Sequence, residues 1–312
     1  MNNKFSITIP AYKQAYLQEA IASCLKQTYS NFELIIVDDA SPEDLISVVK
    51  SFNDERIHYY RNKKNFGAID VVDNWNKCLE YTSGDYIICM GDDDKLLPNC
   101  LEEYANLIEK YPGLGVYHAW TEIIDETNVL VDLQTPRPEW ESAYSLLWNR
   151  WNGRRQFIGD FLFDTKQLRN NGGFFKLPLA WTSDDITALI AAKNKGIANT
   201  QVPTFQYRIN KYTISNTGNT EIKLQAVILS KEWYKKFLAE KPNNDIDCKY
   251  WTLINEIFET HFDYMMRGPI KQDLANKSLF RILYWYKRRK QYKLNSFIFK
   301  RLIKDALEER FK

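Results

Sequence analysis

Three consecutive carboxylates, Asp92, Asp93 and Asp94, follow an apolar run at residues 86–90 and a single glycine. Adjacent carboxylates repel one another, so such a triplet is stable where a cation compensates it or where water fully solvates it. Mg²⁺ and Mn²⁺ prefer hard oxygen ligands, and they commonly take one or two carboxylates together with substrate phosphates. The triplet therefore indicates either a site for a divalent cation and a phosphorylated ligand or a solvated acidic turn.

A second acidic pair, Asp38 and Asp39, follows another apolar run at residues 32–37. Over the first 125 residues, short apolar runs alternate with segments of helical spacing, which predicts an α/β fold with a doubly wound, mostly parallel sheet. Ligands of such sheets bind beyond the carboxyl ends of the strands. Both acidic groups are therefore expected at one crevice, where the pair could accept hydrogen bonds from a base edge or from ribose hydroxyls.

The elements that must position these groups follow from the spacing of apolar residues. Strands are predicted at residues 5–10, 32–37, 57–60, 86–90, 115–124, 157–163 and 202–209. Helices are predicted at residues 15–27, after Ser41 as N-cap with Pro42 as the first helical residue, and at 68–82, 99–111, 140–151 and 184–195. From Glu221 onward, nearly all of the sequence has helical spacing.

Composition and missing motifs exclude several classes of protein. The 312 residues are 45% hydrophobic and 26% charged, which are values of a globular protein. Neither GxGxxG nor GxxxxGK[ST] occurs, which argues against a dinucleotide oxidoreductase and a P-loop NTPase. Five cysteines without a CxxC pair favour reduced thiols, and the first residues lack the apolar segment of a signal peptide. A cytoplasmic location is expected.

The charge is distributed unevenly along the chain. Residues 271–312 carry 13 basic and 4 acidic residues, whereas the first 270 carry 29 and 36. Within residues 278–304, aromatic residues alternate with the cluster KRRK, and helical spacing places Leu279, Ile282, Leu283 and Tyr286 on one face. The pattern fits an interfacial helix on an anionic membrane, or a helix packed on the rest of the protein with solvated charges. Nucleic-acid contact is a lesser alternative.

Taken in order, these segments resemble the family 2 glycosyltransferases, which are inverting enzymes of the GT-A fold. The resemblance is carried by the opening motif SITIPAYKQAYLQEAIASCLKQTYSNFELIIVDDAS, by NKKNFGAIDVVDNWNKCLEYTSGDYI, and by MGDDDKLLP, which is similar to the DxD metal-binding block. Further on, NNGGF and AWTSDDITALIAAKNKG resemble the segment with the general base, and YRINKYTIS resembles the closing strand. The resemblance covers residue 5 to about residue 216.

The resemblance implies a role for each matching residue. The nucleotide would be bound by Pro10, Ala11, Tyr12, Asp39, Asn65, Gly67, Asn74 and Asp92. Asp93 would bind the metal, Mn²⁺ or Mg²⁺. Counting back from Gly196 places Asp185 at the general base, where it would take the proton of the acceptor hydroxyl. Asp94, Trp181 and Asp184 are candidates for sugar contacts; Trp181 is equally well explained as a core residue, and Asp184 or Asp185 as a helix cap.

Several positions depart from the family pattern. Lys13 stands where Asn is usual, Gly91 replaces a frequent first Asp, and Asn210 stands where many relatives have a His that could ligate the metal. The QxxRW motif of processive synthases does not occur, which favours transfer of one sugar at a time.

The resemblance implies a catalytic GT-A domain at residues 1–216, with a nucleotide-binding half at 1–125 and an acceptor and base half at 126–216, followed by a helical region at 217–312. The expected reaction is hexosyl or hexosaminyl transfer from a nucleotide-sugar, a UDP-sugar by family habit, to a glycan or lipid-linked acceptor in surface polysaccharide synthesis. Peripheral contact with the inner face of the plasma membrane through residues 271–312 is one interpretation of the basic segment. The alternative function is a non-catalytic nucleotide-sugar-binding protein of the same fold.

Overall fold

A ten-stranded sheet forms the centre of the computed structural model, which describes residues 3–210, 219–277 and 281–310. The strands are β1 (Phe5–Ala11), β2 (Phe32–Asp38), β3 (Ile57–Arg61), β4 (Tyr86–Cys89), β5 (Lys95–Leu96), β6 (Val116–Ile124), β7 (Leu130–Leu133), β8 (Trp140–Glu141), β9 (Phe161–Asp164) and β10 (Ile197–Arg208). Every predicted strand is represented among them. Residues 211–215 of the predicted closing segment lie outside the described residues.

Helices cover both faces of the sheet and form most of the carboxyl-terminal part. They are α1 (Leu17–Leu25), α2 (Leu45–Lys50), α3 (Val71–Tyr81), α4 (Cys100–Lys110), α5 (Ala143–Trp151), α6 (Thr165–Asn170), α7 (Ser183–Ala192), α8 (Thr220–Phe237), α9 (Asp245–Lys277), α10 (Arg281–Arg288) and α11 (Ser296–Arg310). Short 3₁₀ turns occupy Ile158–Asp160 and Pro178–Ala180. The first of them takes up the start of the strand predicted at 157–163.

The predicted cap of the second helix is wrong. Helix α2 begins at Leu45, and the Asp44 side chain accepts a hydrogen bond from the Ser47 amide. The Ser41 hydroxyl instead donates to the main-chain carbonyl of Tyr12 at 2.6 Å. Ser41 therefore joins the segments that follow β1 and β2.

The strand order is β3-β2-β1-β4-β9-β6-β10-β5, with β7 and β8 pairing beside β6 and β10. The first four strands are parallel, as are β6 and β10. Strand β9 runs antiparallel to both β4 and β6 and joins the two groups. The α/β fold class is confirmed, but the sheet is mixed, because β9 and the short strands β5, β7 and β8 all pair antiparallel.

The core has one layer on each face of the sheet. On one face, Phe5, Ile7 and Ile9 of β1 pack with buried residues of α1 and α4. On the other face, α3, α5 and α7 pack with helices α8 to α11 in one continuous cluster. All seven residues of β2 are buried, as expected of a strand covered on both faces.

The basic segment contributes to the core with one face of its helices. Trp285 is fully buried, and Tyr292, Ile298 and Leu302 are about as inaccessible. Of the predicted apolar face, Ile282 packs against the core, Leu283 and Tyr286 are exposed, and Leu279 lies outside the described residues. Within the described ranges, no helix combines the length and the apolar character needed to cross a membrane.

Candidate active site

The aspartate triplet lies in the turn between β4 and β5, at the carboxyl edge of the parallel strands. Asp92 is partly buried, and its Oδ2 accepts hydrogen bonds from the main-chain amides of Tyr12 and Lys13, both at 2.7 Å. The segment after β1 and the turn after β4 are therefore held together by one carboxylate.

The other side of the turn is held by the end of β10. Asp93 is partly exposed; its Oδ2 accepts a hydrogen bond from the Asn210 amide group at 2.5 Å. Asp94 is only 4% exposed, and its Oδ1 accepts from the Arg208 main-chain amide at 3.0 Å. Asp94 therefore helps to hold the turn on β10, and its predicted sugar contact stays a prediction.

Electrostatic repulsion is built into this turn. Burial and the neighbouring charge of Asp93 raise the pKa of Asp92 to about 6. The same two causes raise the pKa of Asp94 well above its ordinary value. A Cβ atom at Gly91 would come within 2.9 Å of both Asp93 Oδ1 and Asp94 Oδ2, so glycine lets these carboxylates lie close over the turn. Positive charge placed at this turn would relieve the repulsion.

The carboxylate oxygens of the triplet are suitable ligands for a hard divalent cation that also binds the phosphate oxygens of a substrate. The described residues contain no cluster of three or more His, Cys, Asp or Glu side chains that could hold a metal. Mg²⁺ and Mn²⁺ are commonly bound by one or two carboxylates and completed by phosphate oxygens and water. Asp93, which is partly exposed and has one oxygen engaged by Asn210, is suited to such a role.

A second polar group follows β2 and β3. Asp39 is 6% exposed, and its carboxylate accepts from the main-chain amide of Phe66 at 3.0 Å and from the Asn62 side chain at 2.9 Å. Asn62 also donates to Asn74 Oδ1 at 2.9 Å. Two residues predicted at the nucleotide pocket, Asp39 and Asn74, are thus brought together by Asn62. Sequence reasoning missed Asn62, although its position directly after β3 was an available signal.

Most of the remaining predicted nucleotide-binding residues lie at the end of β1 or in the segment after β3. Tyr12 is 41% exposed and Asn65 is exposed, so both side chains are accessible to a ligand. Ala11 is fully buried and Pro10 partly so. Gly67 has a φ of +73° and donates its amide to Asp39 at 3.3 Å, a conformation that favours glycine.

The predicted general base, Asp185, and its neighbour Asp184 lie in the first turn of α7. Asp185 is 4% exposed, and its Oδ1 accepts from Arg150 Nε at 2.8 Å and from Gln156 Nε2 at 2.7 Å. Asp184 is partly exposed. The predicted base, Asp185, is therefore buried and ion-paired, and its neighbour is the more accessible of the two. Sequence reasoning missed Arg150 and Gln156, whose contacts span 35 and 29 residues.

The segment that leads into α7 is strained. Leu179, Ala180 and Thr182 have φ values of 60°, 52° and 65°, in the left-handed region that non-glycine residues rarely adopt. Each such residue costs on the order of 1–3 kcal/mol and is maintained only where the surroundings hold it. Trp181, within this segment, packs partly against the core, and its ring centroid lies 5.3 Å from Lys223 Nζ. The strained segment ends at Thr182, directly before the first turn of α7.

Tyr207 on β10 lies near carboxylates of two segments, the turn after β4 and the start of α7. Burial raises the pKa of its phenol above the ordinary range, and the carboxylates of Asp94, Asp93 and Asp184 add to the rise. Its ring stacks on Phe157, with centroids 3.6 Å apart. The turn after β4 and the start of α7 therefore both lie near enough to Tyr207 for their charges to act on it.

Comparison with known proteins identifies relatives of this chain. The model of the family "Glycosyl transferase family 2" matches residues 6–176, more than half of the chain. The Escherichia coli UDP-Glc:alpha-D-GlcNAc-diphosphoundecaprenol beta-1,3-glucosyltransferase WfgD is 28% identical over 72% of this chain and 84% of its own length. A putative colanic acid biosynthesis glycosyl transferase of Escherichia coli, WcaA, is 41% identical over 33% of this chain.

The match covers only part of several relatives. It spans 55% of an uncharacterized glycosyltransferase of Rickettsia typhi, at 29% identity over 57% of this chain, and 37% of WcaA.

Solved structures show the same fold. Staphylococcus aureus TarS 1-349 in complex with UDP-GlcNAc has a TM-score of 0.64 at 15% identity, covering 93% of this chain and 80% of TarS 1-349. Mannosyltransferase PcManGT of Pyrobaculum calidifontis, in complex with GDP-Man and Mn²⁺, has a TM-score of 0.50 at 15% identity, covering 98% and 86%.

Proposed function

The chain belongs to glycosyl transferase family 2, and from this premise we propose that it transfers one sugar at a time from a UDP-sugar to a hydroxyl group of a glycan or lipid-linked saccharide, with inversion at the anomeric carbon. The observation that carries the proposal is that Tyr207 lies within reach of the charges of both Asp93, in the turn after β4, and Asp184, in the first turn of α7. An inverting transfer needs charge compensation for the departing diphosphate on one side and a base on the other.

The donor is placed by the groups at the ends of β1, β2 and β3. The exposed ring of Tyr12 supplies a surface on which a nucleobase can stack. The Asp39–Asn62–Asn74 group supplies polar atoms for the base edge and ribose. The diphosphate would then lie at the turn that carries Asp92 and Asp93. This placement is supported by the common edge at which β1, β2 and β4 end.

A divalent cation, Mn²⁺ or Mg²⁺, would be held by Asp93 together with the diphosphate, and it would neutralise charge that develops on the leaving group. A carboxylate at the start of α7 accepts the proton of the acceptor hydroxyl. The helix amino terminus favours the ionised form of that carboxylate.

The name of WfgD describes glucose transfer from UDP-Glc to an acceptor on diphosphoundecaprenol. That relative supports a lipid-linked acceptor and a place in surface polysaccharide synthesis for this chain. It also bears on the exposed side of α10 and α11, where Leu283, Tyr286 and Phe297 stand among exposed lysines. An exposed mixture of apolar and cationic side chains fits the surface of an anionic membrane.

We therefore propose peripheral contact with the cytoplasmic face of the membrane through this side of α10 and α11. The opposite side of the same helices is buried in the core. The sequence left two interpretations open, a helix packed on the rest of the protein and a helix in contact with a membrane. Under this proposal both hold, because one side of these helices is buried and the other side contacts the membrane.

Direct assay of the purified protein tests the proposed reaction. Thermal shift is measured with UDP-sugars and GDP-sugars, each with Mn²⁺ and with chelator, because a bound ligand raises the apparent stability by mass action. The stabilising donors are then incubated with the protein, and UDP release is followed by chromatography. Metal-dependent stabilisation and UDP release are expected. Stabilisation without any release from any donor, even with saccharide-lipid acceptors added, would favour the non-catalytic binding protein.

A further inference from the structure

The segment 154–157 lies between helix α5 and strand β9, and it has no regular secondary structure. Buried polar side chains nevertheless hold it in place. Arg137, which is buried, donates from its guanidinium group to Gln156 Oε1 at 3.3 Å. The main-chain amide of Phe157 donates to Oδ2 of the fully buried Asp160 at 3.1 Å. The positions of Gln156 and Phe157 are therefore set by side-chain contacts rather than by a helix or a strand.

Gln156 is buried, and each end of its side-chain amide has its own partner. Its Oε1 accepts from Arg137, and its Nε2 donates to Asp185 Oδ1 at 2.7 Å. Because arginine can only donate, the amide oxygen must face Arg137 and the amide nitrogen must face Asp185. Arg150 Nε donates to the same Asp185 oxygen at 2.8 Å. Since Oδ1 accepts two hydrogen bonds, a proton taken up by Asp185 binds Oδ2.

Phe157 contacts the end of β10, which holds the turn after β4. Its ring stacks on the ring of Tyr207, with centroids 3.6 Å apart and planes 7° apart. Tyr207 directly precedes Arg208, whose main chain and side chain both donate to that turn. Two consecutive residues of the segment 154–157 therefore contact the first turn of α7 and the strand end that holds the turn after β4.

We propose that Gln156 and Phe157 are positioning residues of the transfer reaction, and that together they set the distance between the Asp185 carboxylate and the turn after β4. The inference rests on the proposed transferase function, in which a carboxylate at the start of α7 takes the proton of the acceptor. Neither residue has to touch the substrate. Gln156 acts through Asp185, and Phe157 acts through Tyr207 and the turn that β10 holds.

An inverting displacement depends on this distance, because its base and its leaving group lie on opposite faces of the reacting carbon. Asp185 Oδ2 takes the hydroxyl proton of the acceptor, and the acceptor oxygen forms a bond to the anomeric carbon. The bond from that carbon to the diphosphate oxygen breaks, and its electron pair leaves with the nucleoside diphosphate. A misplacement of about 1 Å can cost on the order of 10²-fold in rate. Contacts that fix both groups on one segment therefore affect the rate more than the binding of the donor.

Gln156→Met and Gln156→Glu distinguish the positioning of Asp185 from support of Arg137. Methionine keeps the length of the side chain but bonds neither neighbour. Ionised glutamate still accepts from Arg137, but it cannot donate to Asp185 and places a second negative charge beside it. UDP release from UDP-glucose and UDP-GlcNAc, with Mn²⁺ and with water as the acceptor, gives kcat and KM. Calorimetry with UDP and Mn²⁺ gives donor affinity, and thermal denaturation reports the folded state.

Both Gln156 variants should lower kcat by at least about tenfold and leave KM and UDP affinity within about twofold. Gln27→Met is the matched control, because Gln27 is also buried and bonded at both ends, by Leu97 and Leu101. Those contacts lie on the face of the sheet opposite α7. The control should lower the melting temperature without a change in kcat. Wild-type kcat in Gln156→Glu would overturn the inference, because a role confined to Arg137 survives that substitution.

Phe157→Leu and Phe157→Tyr test the stacked pair. Leucine removes the aromatic ring and should lower kcat by about tenfold, whereas tyrosine keeps the ring and should restore most of the rate. Tyr60→Leu is the matched control, because Tyr60 stacks on Tyr81 at 3.8 Å on β3, the outermost strand on the other side of the sheet. Wild-type kcat in Phe157→Leu, or no recovery in Phe157→Tyr, would contradict the proposed role of this pair.

Two further outcomes separate this inference from the proposed function. A loss of UDP affinity as large as the loss of kcat in the Gln156 and Phe157 variants would show a structural role and overturn the inference alone. If the wild-type protein binds UDP with Mn²⁺ but releases none from any donor, the proposed function fails, and this inference fails with it.

Discussion

The Arg208 side chain binds the main chain of Asp93: the guanidinium Nε donates to the Asp93 carbonyl oxygen at 2.8 Å. The same fully buried guanidinium donates to Glu19 Oε2 and to Asn128 Oδ1, both at 3.0 Å. A single cation from the end of β10 thus fixes the turn proposed to bind metal, and the planar group makes bonds in three directions that a lysine cannot reproduce.

Arg208→Lys should weaken Mn²⁺-dependent UDP binding by tenfold or more, because the turn that carries Asp93 loses its anchor. Calorimetry with UDP and Mn²⁺ measures the affinity, and thermal denaturation measures the folded state. Arg169→Lys is the control, since Arg169 also donates to two main-chain carbonyls, of Leu79 and Thr82, away from the proposed site. An equal loss of UDP affinity in both variants would contradict the anchoring role.

Asp93→Asn should abolish the Mn²⁺-dependent part of UDP binding while the protein stays folded. The substitution removes one of three neighbouring charges, so thermal stability without metal should be unchanged or slightly higher. UDP titrations with Mn²⁺ and with chelator distinguish the two contributions. Unchanged metal dependence in the variant would show that Asp93 does not bind the metal; Asp85→Asn should behave as wild type.

Gly91→Ala tests the geometry of the turn rather than its charge. The added Cβ would meet Asp93 Oδ1 and Asp94 Oδ2 at 2.9 Å, so the carboxylates must move and UDP affinity with Mn²⁺ should fall. Gly268→Ala is the matched control, because nothing lies within 4 Å of the new Cβ in helix α9. That control should gain about 0.5–1 kcal/mol in free energy of unfolding. Normal UDP affinity for Gly91→Ala would contradict the proposed close approach.

Acid sensitivity should depend on Glu33. Burial would raise the pKa of Glu33, but hydrogen bonds from Lys4, Ser6 and Ser83 outweigh it and lower the pKa to about 2. Because the folded-state pKa is below the unfolded-state value, this stabilisation is present above about pH 4.5 and is lost as the pH falls towards 2. Glu33→Gln should therefore lower the free energy of unfolding at pH 7 by up to about 3 kcal/mol and flatten its fall below pH 4.5.

Urea denaturation at pH 7 and at pH 3 measures the effect of Glu33→Gln. The control is Glu80→Gln, since the Glu80 side chain is 62% exposed and its pair with Lys77 should contribute little. A pH dependence identical to wild type in Glu33→Gln would exclude Glu33 as the group that titrates.

The proposed membrane contact is tested with substitutions that spare the buried side of α10. Lys287→Glu together with Lys290→Glu should reduce sedimentation with phosphatidylglycerol vesicles by at least about tenfold at low salt, since each basic residue contributes about 1 kcal/mol. Lys235→Glu with Lys236→Glu, an exposed pair on α8, should have little effect. Binding of the unmodified protein to neutral phosphatidylcholine vesicles as strong as to anionic ones would contradict the electrostatic contact. Deletion of residues 271–312 is unsuitable, because it removes Trp285 and Leu302 from the core.

Much of the fold could be predicted because apolar spacing reports which residues are buried. The runs at 5–10, 32–37 and 86–90 became adjacent parallel strands, and the acidic residues after the last two lie at one edge of the sheet. Strand β9 was predicted, but not its reversed direction, because direction depends on the path of the chain and leaves no mark in the spacing.

Side-chain contacts between residues that are far apart in the sequence could not be predicted from apolar spacing. The contacts of Arg208 with Asp93 and Asp94 span more than a hundred residues, and the sequence around Arg208 shows only a strand. The two aspartates of α7 illustrate a second limit. Consecutive residues of a helix point about 100° apart, so Asp184 and Asp185 meet different surroundings, and only the packing of α7 leaves Asp185 buried and Asp184 partly exposed.

The dependence of the turn on β10 also sets an order for the biosynthesis of this protein. Asp94 is bonded to a residue that leaves the ribosome 114 positions later, and Asp93 to one 117 positions later. Strands β1 to β4 can pair with one another while the rest of the chain is still being translated, and Asp92 can then bind the amides of Tyr12 and Lys13. The bonds of Asp93 and Asp94 to the end of β10 form only once β10 has emerged and paired beside β6. A nascent chain that stops before residue 208 therefore has most of the proposed nucleotide-binding residues, but the turn proposed to bind metal is held on one side only.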